Sequence, residues 1–220
     1  MGKVVITGAN KGIGLGLARE YVNRGHEVIA TCRREAPELK SLDLEVYENL
    51  ELSDMKCIDD FVNFMEDKGT IDILINNAAL PHFYGKLESP DDILEHFKVN
   101  TIAPVYLTQR LFHHFEEGSK VIMISSRMGS IDDNESGGHY GFRGSKSALN
   151  SISVSMGLDY RKNGIIVGII HPGFVKTDNT FHNGNLTPET AAKAIYKNVR
   201  KLRIQDTANF WHINGASIPW

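Results

Sequence analysis

A doubly wound α/β domain, with a parallel sheet and helices on both of its faces, is the fold this sequence predicts. Three observations predict it. Short, continuous, β-branched apolar runs alternate with longer segments of helical period. The first such run leads directly into a glycine-rich turn and then a helix. No repeat, low-complexity segment or linker divides the 220 residues, so one domain over 1–220 is the economical reading.

The elements follow in order along the chain. "KVVITG" reads as a strand and "IGLGLAREYVNRG" as a helix ending at Gly25. "HEVIATC" is a second strand, and "LEVYENLEL" ends in a third. "MKCIDDFVNFMEDKG" has apolar residues three and four apart, the mark of an amphipathic helix. "IDILINNA" is a strand, and residues 91–115 form a long helix that Pro104 is expected to bend. "SKVIMISS" is a strand, 142–162 a helix and "GIIVGIIHPG" a strand. "TPETAAKAIYKNVRKL" is a helix with Thr187 as its N-cap and Pro188 in its first turn, and a last short strand sits near "ANFWHI". The polar, glycine-rich stretch 127–141 is a loop on the side where such sheets bind ligands.

Bulk properties exclude several function classes. With 41% apolar and 23% charged residues the chain has the composition of a soluble globular protein. A net charge of −3 and the lack of a basic run argue against nucleic acid as a partner. No apolar run reaches the roughly 18 residues that span a bilayer. The start "MGKVVITGAN" has no signal-peptide layout, and Ile6 stands where the myristoylation pattern wants Ser or Thr. Cys32 and Cys57 have no metal spacing and read as reduced thiols, so a cytoplasmic protein is expected.

"TGANKGIG", residues 7–14, places Gly8, Gly12 and Gly14 between the first strand and first helix, with Asn10, Lys11 and Ile13 among them. Glycine lets backbone approach a ligand closely, and a helix start offers free N–H groups to a pyrophosphate. The pattern predicts a Rossmann-type dinucleotide site; taken alone it also fits a tight strand-to-helix turn. The second strand ends in "ATCRR", without the acid that commonly binds a ribose 2′-hydroxyl. Arg33 can instead fork onto a 2′-phosphate, with Lys11 assisting, which points to NADP rather than NAD. The bland alternative is two exposed surface cations.

These pieces occur in one order with "NNAA" (76–79), "VNTIAP" (99–104), "ISS" (124–126), "SKSALN" (145–150) and "HPGFVKTD" (171–178). Over its whole length the chain resembles the short-chain dehydrogenase/reductase family. The loop before "RGSKSALN" and the terminal "NGASIPW" resemble sniffer-type carbonyl reductases and C-factor-like proteins. The resemblance implies that Glu51, Leu52, Asn76 and Ala78 border the adenosine half of the cofactor. It implies that Pro172, Gly173, Val175 and Thr177 hold the carboxamide. Asn100 would support a water relay through a local irregularity in its helix, and Ser126 would hydrogen-bond a substrate carbonyl. Lys146 would bind the nicotinamide ribose and depress a tyrosine pKa. A homodimer through the helices near 90–115 and 142–160 is also implied.

The family's acid/base tyrosine lies four residues before the lysine, one helical turn away. Here that residue is Phe142. Tyr140 fills another place in the family's pattern. A phenyl ring keeps the packing but has no proton to give to a carbonyl oxygen, so severely reduced turnover with retained cofactor binding is expected. Three readings stay open: a reductase scaffold that lost its acid by nature or by design; a natural cofactor-binding sensor or signalling protein; or rescue by Tyr140, His139 or water. The 80–90 and 178–186 loops would set the substrate, with Phe83, Tyr84, Phe174 and Phe181 as an apolar lining.

Overall fold

In the computed structural model, which describes residues 2–34, 37–81 and 88–220, the apolar runs form the interior of one sheet. The strands are β1 (Lys3–Thr7), β2 (Glu27–Thr31), β3 (Glu45–Tyr47), β4 (Ile73–Asn76), β5 (Lys120–Ile124), β6 (Ile166–His171) and β7 (Phe210–His212). Their order is β3-β2-β1-β4-β5-β6-β7, and every neighbouring pair is parallel. The helices are α1 (Gly12–Asn23), the single turn α2 (Pro37–Lys40), α3 (Met55–Met65), α4 (Pro90–Phe97), α5 (Ala103–Arg110), α6 (Tyr140–Arg161) and α7 (Pro188–Lys201).

Strand side chains alternate between faces, so one run feeds two cores. Val4 and Ile6 pack with Leu17 and Tyr21 of α1 and Ile195 and Val199 of α7. Val5 points the other way, into a layer with Phe61 of α3, Leu107 of α5 and Leu149 of α6. Local chemistry sets the helix starts. The Asp54 side chain accepts from Lys56 N, and the Thr187 side chain accepts from Thr190 N with Pro188 following. Ser89 and Asp92 form a reciprocal capping box ahead of α4. Among the described residues, no helix is long and apolar enough to cross a membrane.

Two expected elements differ. The segment 91–115 is not one helix bent at Pro104. It divides into α4, a π-helical turn over Lys98–Ile102, α5, and a 3₁₀ turn over Phe112–His114. Ala103 N bonds Lys98 O, five residues back, and Pro104 has no N–H to return to the Asn100 carbonyl. The widened turn therefore precedes the proline. Helix α6 begins at Tyr140, two residues earlier than its apolar pattern shows. Gly137, Gly138 and His139 all have positive φ, and the Glu88 carboxylate accepts from Gly141 N at 2.6 Å, so the extra turn has a partner for a first-turn donor.

Candidate cofactor cleft and carbonyl site

The chain order reverses between β1 and β4, where open α/β sheets bind ligands at the carboxyl ends of their strands. A cleft of about 620 Å³ lies there, bordered by the residues just after β1, β2, β4, β5 and β6. The glycine loop forms one wall. Gly8 has φ of 65°, and a Cβ on Gly14 would stand 2.2 Å from Gly8 O, so only glycine permits this turn. No side chain caps the start of α1, and its first turn carries no acid, so its free N–H groups and positive dipole end face the cleft uncompensated. Asn10, Lys11 and Ile13 border the cleft alongside the three glycines. The Asn10 amide donates to Arg34 O at 3.2 Å and ties the loop to the end of β2.

At one end of the cleft Arg33 is largely exposed and lies 3.6 Å from a Glu51 oxygen; Leu52 is beside them. Glu51 also accepts from Ser53 N and Oγ, which fixes its carboxylate. Lys11 does not stand with Arg33: its Nζ is 2.6 Å from Asp178 on the facing wall, where Asp178 also meets His182. That pairing holds the Asp178 carboxyl below the usual carboxylate range. Asn76 is off the cleft wall. Its side chain is buried and donates to Thr108 Oγ1 at 3.1 Å and Met123 Sδ at 3.4 Å, because the last residue of β4 faces the α5 layer. Asn77, one residue on, is on the wall with Ala78, and its amide braces the Thr7 and Gly8 carbonyls at 2.9 and 3.2 Å. The doubled asparagine gave the signal, but not which of the two faces in.

At the other end Phe142 and Lys146 share one face of α6 and border the cleft. Phe142 is 8% exposed, and its ring meets His96 edge to face at 6.0 Å. The Lys146 ammonium is buried and donates to Ile124 O at 2.9 Å. Burial pulls its pKa down to about 8. Ser126 and Ser125 both border the cleft, but Ser125 is buried and its hydroxyl donates to Asn150 at 2.6 Å, which leaves Ser126 as the hydroxyl not committed to the core. The turn after Ser126 packs so closely on α6 that a Cβ on Gly129 would lie 2.9 Å from Lys146. Ser147 and Asn150 both donate to Gly129 O, at 2.9 and 3.3 Å. Serine, phenyl ring and ammonium are thus held on one rigid unit.

Asn100 sits behind this face rather than on the cleft. It accepts from Leu80 N at 2.8 Å and donates to Ser145 Oγ at 3.1 Å, and Ser145 in turn donates to Phe142 O. The π-helical turn brings Asn100 to that position. Tyr140 is 67% exposed and does not border the cleft. Pro172, Gly173, Val175 and Thr177 close the roof, with φ of 80° at Gly173. Phe174 borders the cleft, whereas Phe181 stands outside it and is mostly exposed. Phe83 and Tyr84 lie outside the described residues. His171, which sequence reasoning did not single out, also borders the cleft; burial, then the neighbouring His212, pushes it down to about 3, so it is neutral at pH 7.

The short-chain dehydrogenase family model matches residues 2–186. The chain belongs to that family. A 1-hydroxy-2-glutathionyl-2-methyl-3-butene dehydrogenase from Rhodococcus sp. (strain AD45) is 30% identical over all of both chains. C-signal from Myxococcus xanthus is 31% identical over 69% of this chain and 94% of its own. Carbonyl reductase Sniffer of D. melanogaster superposes with a TM-score of 0.91 at 28% identity, covering both chains fully. An NADPH-bound carbonyl reductase from chicken fatty liver superposes at 0.90 with 28% identity, over 99% of this chain and 98% of that one. The sniffer-like likeness in the sequence is thereby supported over the whole fold, and the C-factor-like one over about two thirds of the chain.

Proposed function

We propose that this protein is an NADP(H)-binding short-chain oxidoreductase scaffold for carbonyl reduction whose turnover is severely impaired by Phe142. One observation carries the reading: a phenyl ring borders the cleft one turn before a buried lysine, and no phenol borders that cleft among the described residues. A dinucleotide fits the residues present. The glycine turn leaves no room for a Cβ, the α1 start is open, and Arg33 offers a cation at the adenosine end. The NADPH carried by the chicken relative supports the same cofactor. Bound there, NADPH would supply a hydride.

The chain's own residues supply the rest. The Ser126 hydroxyl donates to the substrate carbonyl oxygen and orients it. The Lys146 ammonium adds positive charge beside the cleft floor, and Asn100 braces the helix backbone behind it. Among the described residues no phenol stands on this face to hand over a proton, so the oxygen's growing negative charge is not neutralised by one in the transition state. A positioned acid is typically worth ~10²–10⁴ in rate.

Cofactor choice is tested by titrating the chain with NADPH and NADH. NADPH should bind more tightly, and Arg33→Ala should weaken it by about ten- to a hundredfold while sparing NADH. Tighter NADH binding would remove Arg33 from its role. Phe142 and the likeness to C-signal also favour a second reading, a cofactor-dependent binding module, which requires that Phe142→Tyr restore no turnover. Self-association is supported by Leu94, Ile102, Phe112, Ile152 and Leu158, all exposed in the 90–115 and 140–161 segments.

A further inference from the structure

At the end of the sheet opposite the cleft, where β4 and β5 begin, Glu66 in the 3₁₀ turn after α3 meets His113 and His114 in the turn after α5. One ligating atom from each lies within 4.8 Å of the other two. His113 Nε2 and a Glu66 oxygen are 3.5 Å apart, long for a charge-assisted hydrogen bond. That distance suits two donors sharing one ion: ligands about 2.0–2.1 Å from a tetrahedral centre stand about 3.3 Å apart.

His114 is the fixed member. It is 6% exposed, and its Nδ1 is 2.9 Å from Gly69 O. A carbonyl oxygen only accepts, so Nδ1 carries a proton, and in the neutral ring Nε2 then holds the lone pair. Nε2 is buried without a hydrogen-bond partner among the described residues. A backbone carbonyl that fixes the ring through one nitrogen and leaves the other as a lone-pair donor is the support metal-ligating histidines use. The backbone is fixed as well, since Ile71 N donates to His114 O at 2.9 Å. His113 and Glu66 are each more than half exposed and can rotate to close the remaining gap.

We propose that Glu66, His113 and His114 bind one divalent transition-metal ion, with zinc as the best match to two imidazoles and a carboxylate. Water would fill the fourth position. The ion would tie the end of α3 to the end of α5 just ahead of β4 and β5, far from the carbonyl face, and act on stability rather than turnover.

The test uses the full, untagged chain, stripped with EDTA and exchanged into a non-chelating buffer. Calorimetric titration with ZnCl2 should show one site. At zinc about a hundredfold above its Kd the thermal midpoint should rise by about 5–10 °C, while MgCl2 leaves it unmoved. His113→Ala and Glu66→Gln, both surface changes, should each weaken zinc binding at least tenfold and leave the zinc-free midpoint near that of the parent. Zinc binding that is absent in the parent, or unchanged in both variants, overturns the proposal.

Discussion

Replacing Phe142 by tyrosine adds one oxygen at the place where the chemistry lacks a proton. The ring is already seated, with one edge against His96 and its helix backbone held by Ser145, so the new hydroxyl arrives on a positioned ring. Lys146 is one turn away, its ammonium fixed on Ile124 O. A positive charge that close favours the phenolate and brings a phenol down from its ordinary value near ~10. The gain expected from a positioned acid is ~10²–10⁴ in kcat/KM, or about 3–5 kcal/mol of transition-state stabilisation. The exchange is close to isosteric, so stability should change by less than ~1.5 kcal/mol. The assay follows NADPH absorbance with aldehyde and ketone panels, beside a thermal melt of each form. A Phe142→Tyr variant that folds, binds NADPH and turns over no faster than the parent would refute the reasoning.

Lys146 gives a pH signature. Its folded pKa, about 8, is below the ordinary value of 10.5, so between those limits the unfolded chain binds more protons and stability rises with pH. Burial of the charge therefore costs the parent about 3 kcal/mol below pH 8, and that cost fades toward pH 10.5. Chemical denaturation of the parent and Lys146→Met across pH 7–10.5 should show the variant's advantage shrinking over that window; a constant difference would contradict the burial argument. On the proposed self-association, Leu158→Asp should shift the protein toward monomer in sedimentation velocity, since Leu158 is 60% exposed on α6; an unchanged distribution would contradict that interface.

The five inner strands were legible because each is an apolar run rich in β-branched residues and largely buried, whereas the edge strands β3 (EVY) and β7 (FWH) are short and only partly buried. The glycine turn was legible because sterics leave few residues that fit it. What was not legible depended on partners distant in sequence. Lys11 pairs with Asp178, 167 positions away, so its direction could not be read from the loop. Asn76 and Asn77 sit at a strand end, where a one-residue offset decides between core and cleft. The π-helical turn leaves no apolar pattern and was implied only by the family resemblance, as an irregularity at Asn100, and the start of α6 relies on Glu88, 53 positions before Gly141. Phe142 was found from the family resemblance, which implies a tyrosine four residues before the lysine, and helix geometry then puts the two on one face.

The most direct measurement combines NADPH titration and NADPH oxidation on one preparation of the chain carrying Phe142, with aldehydes and ketones supplied. Saturable, stoichiometric NADPH binding with turnover at or near the no-enzyme rate is the expected result. Fast, multiple-turnover oxidation by that same preparation would contradict it.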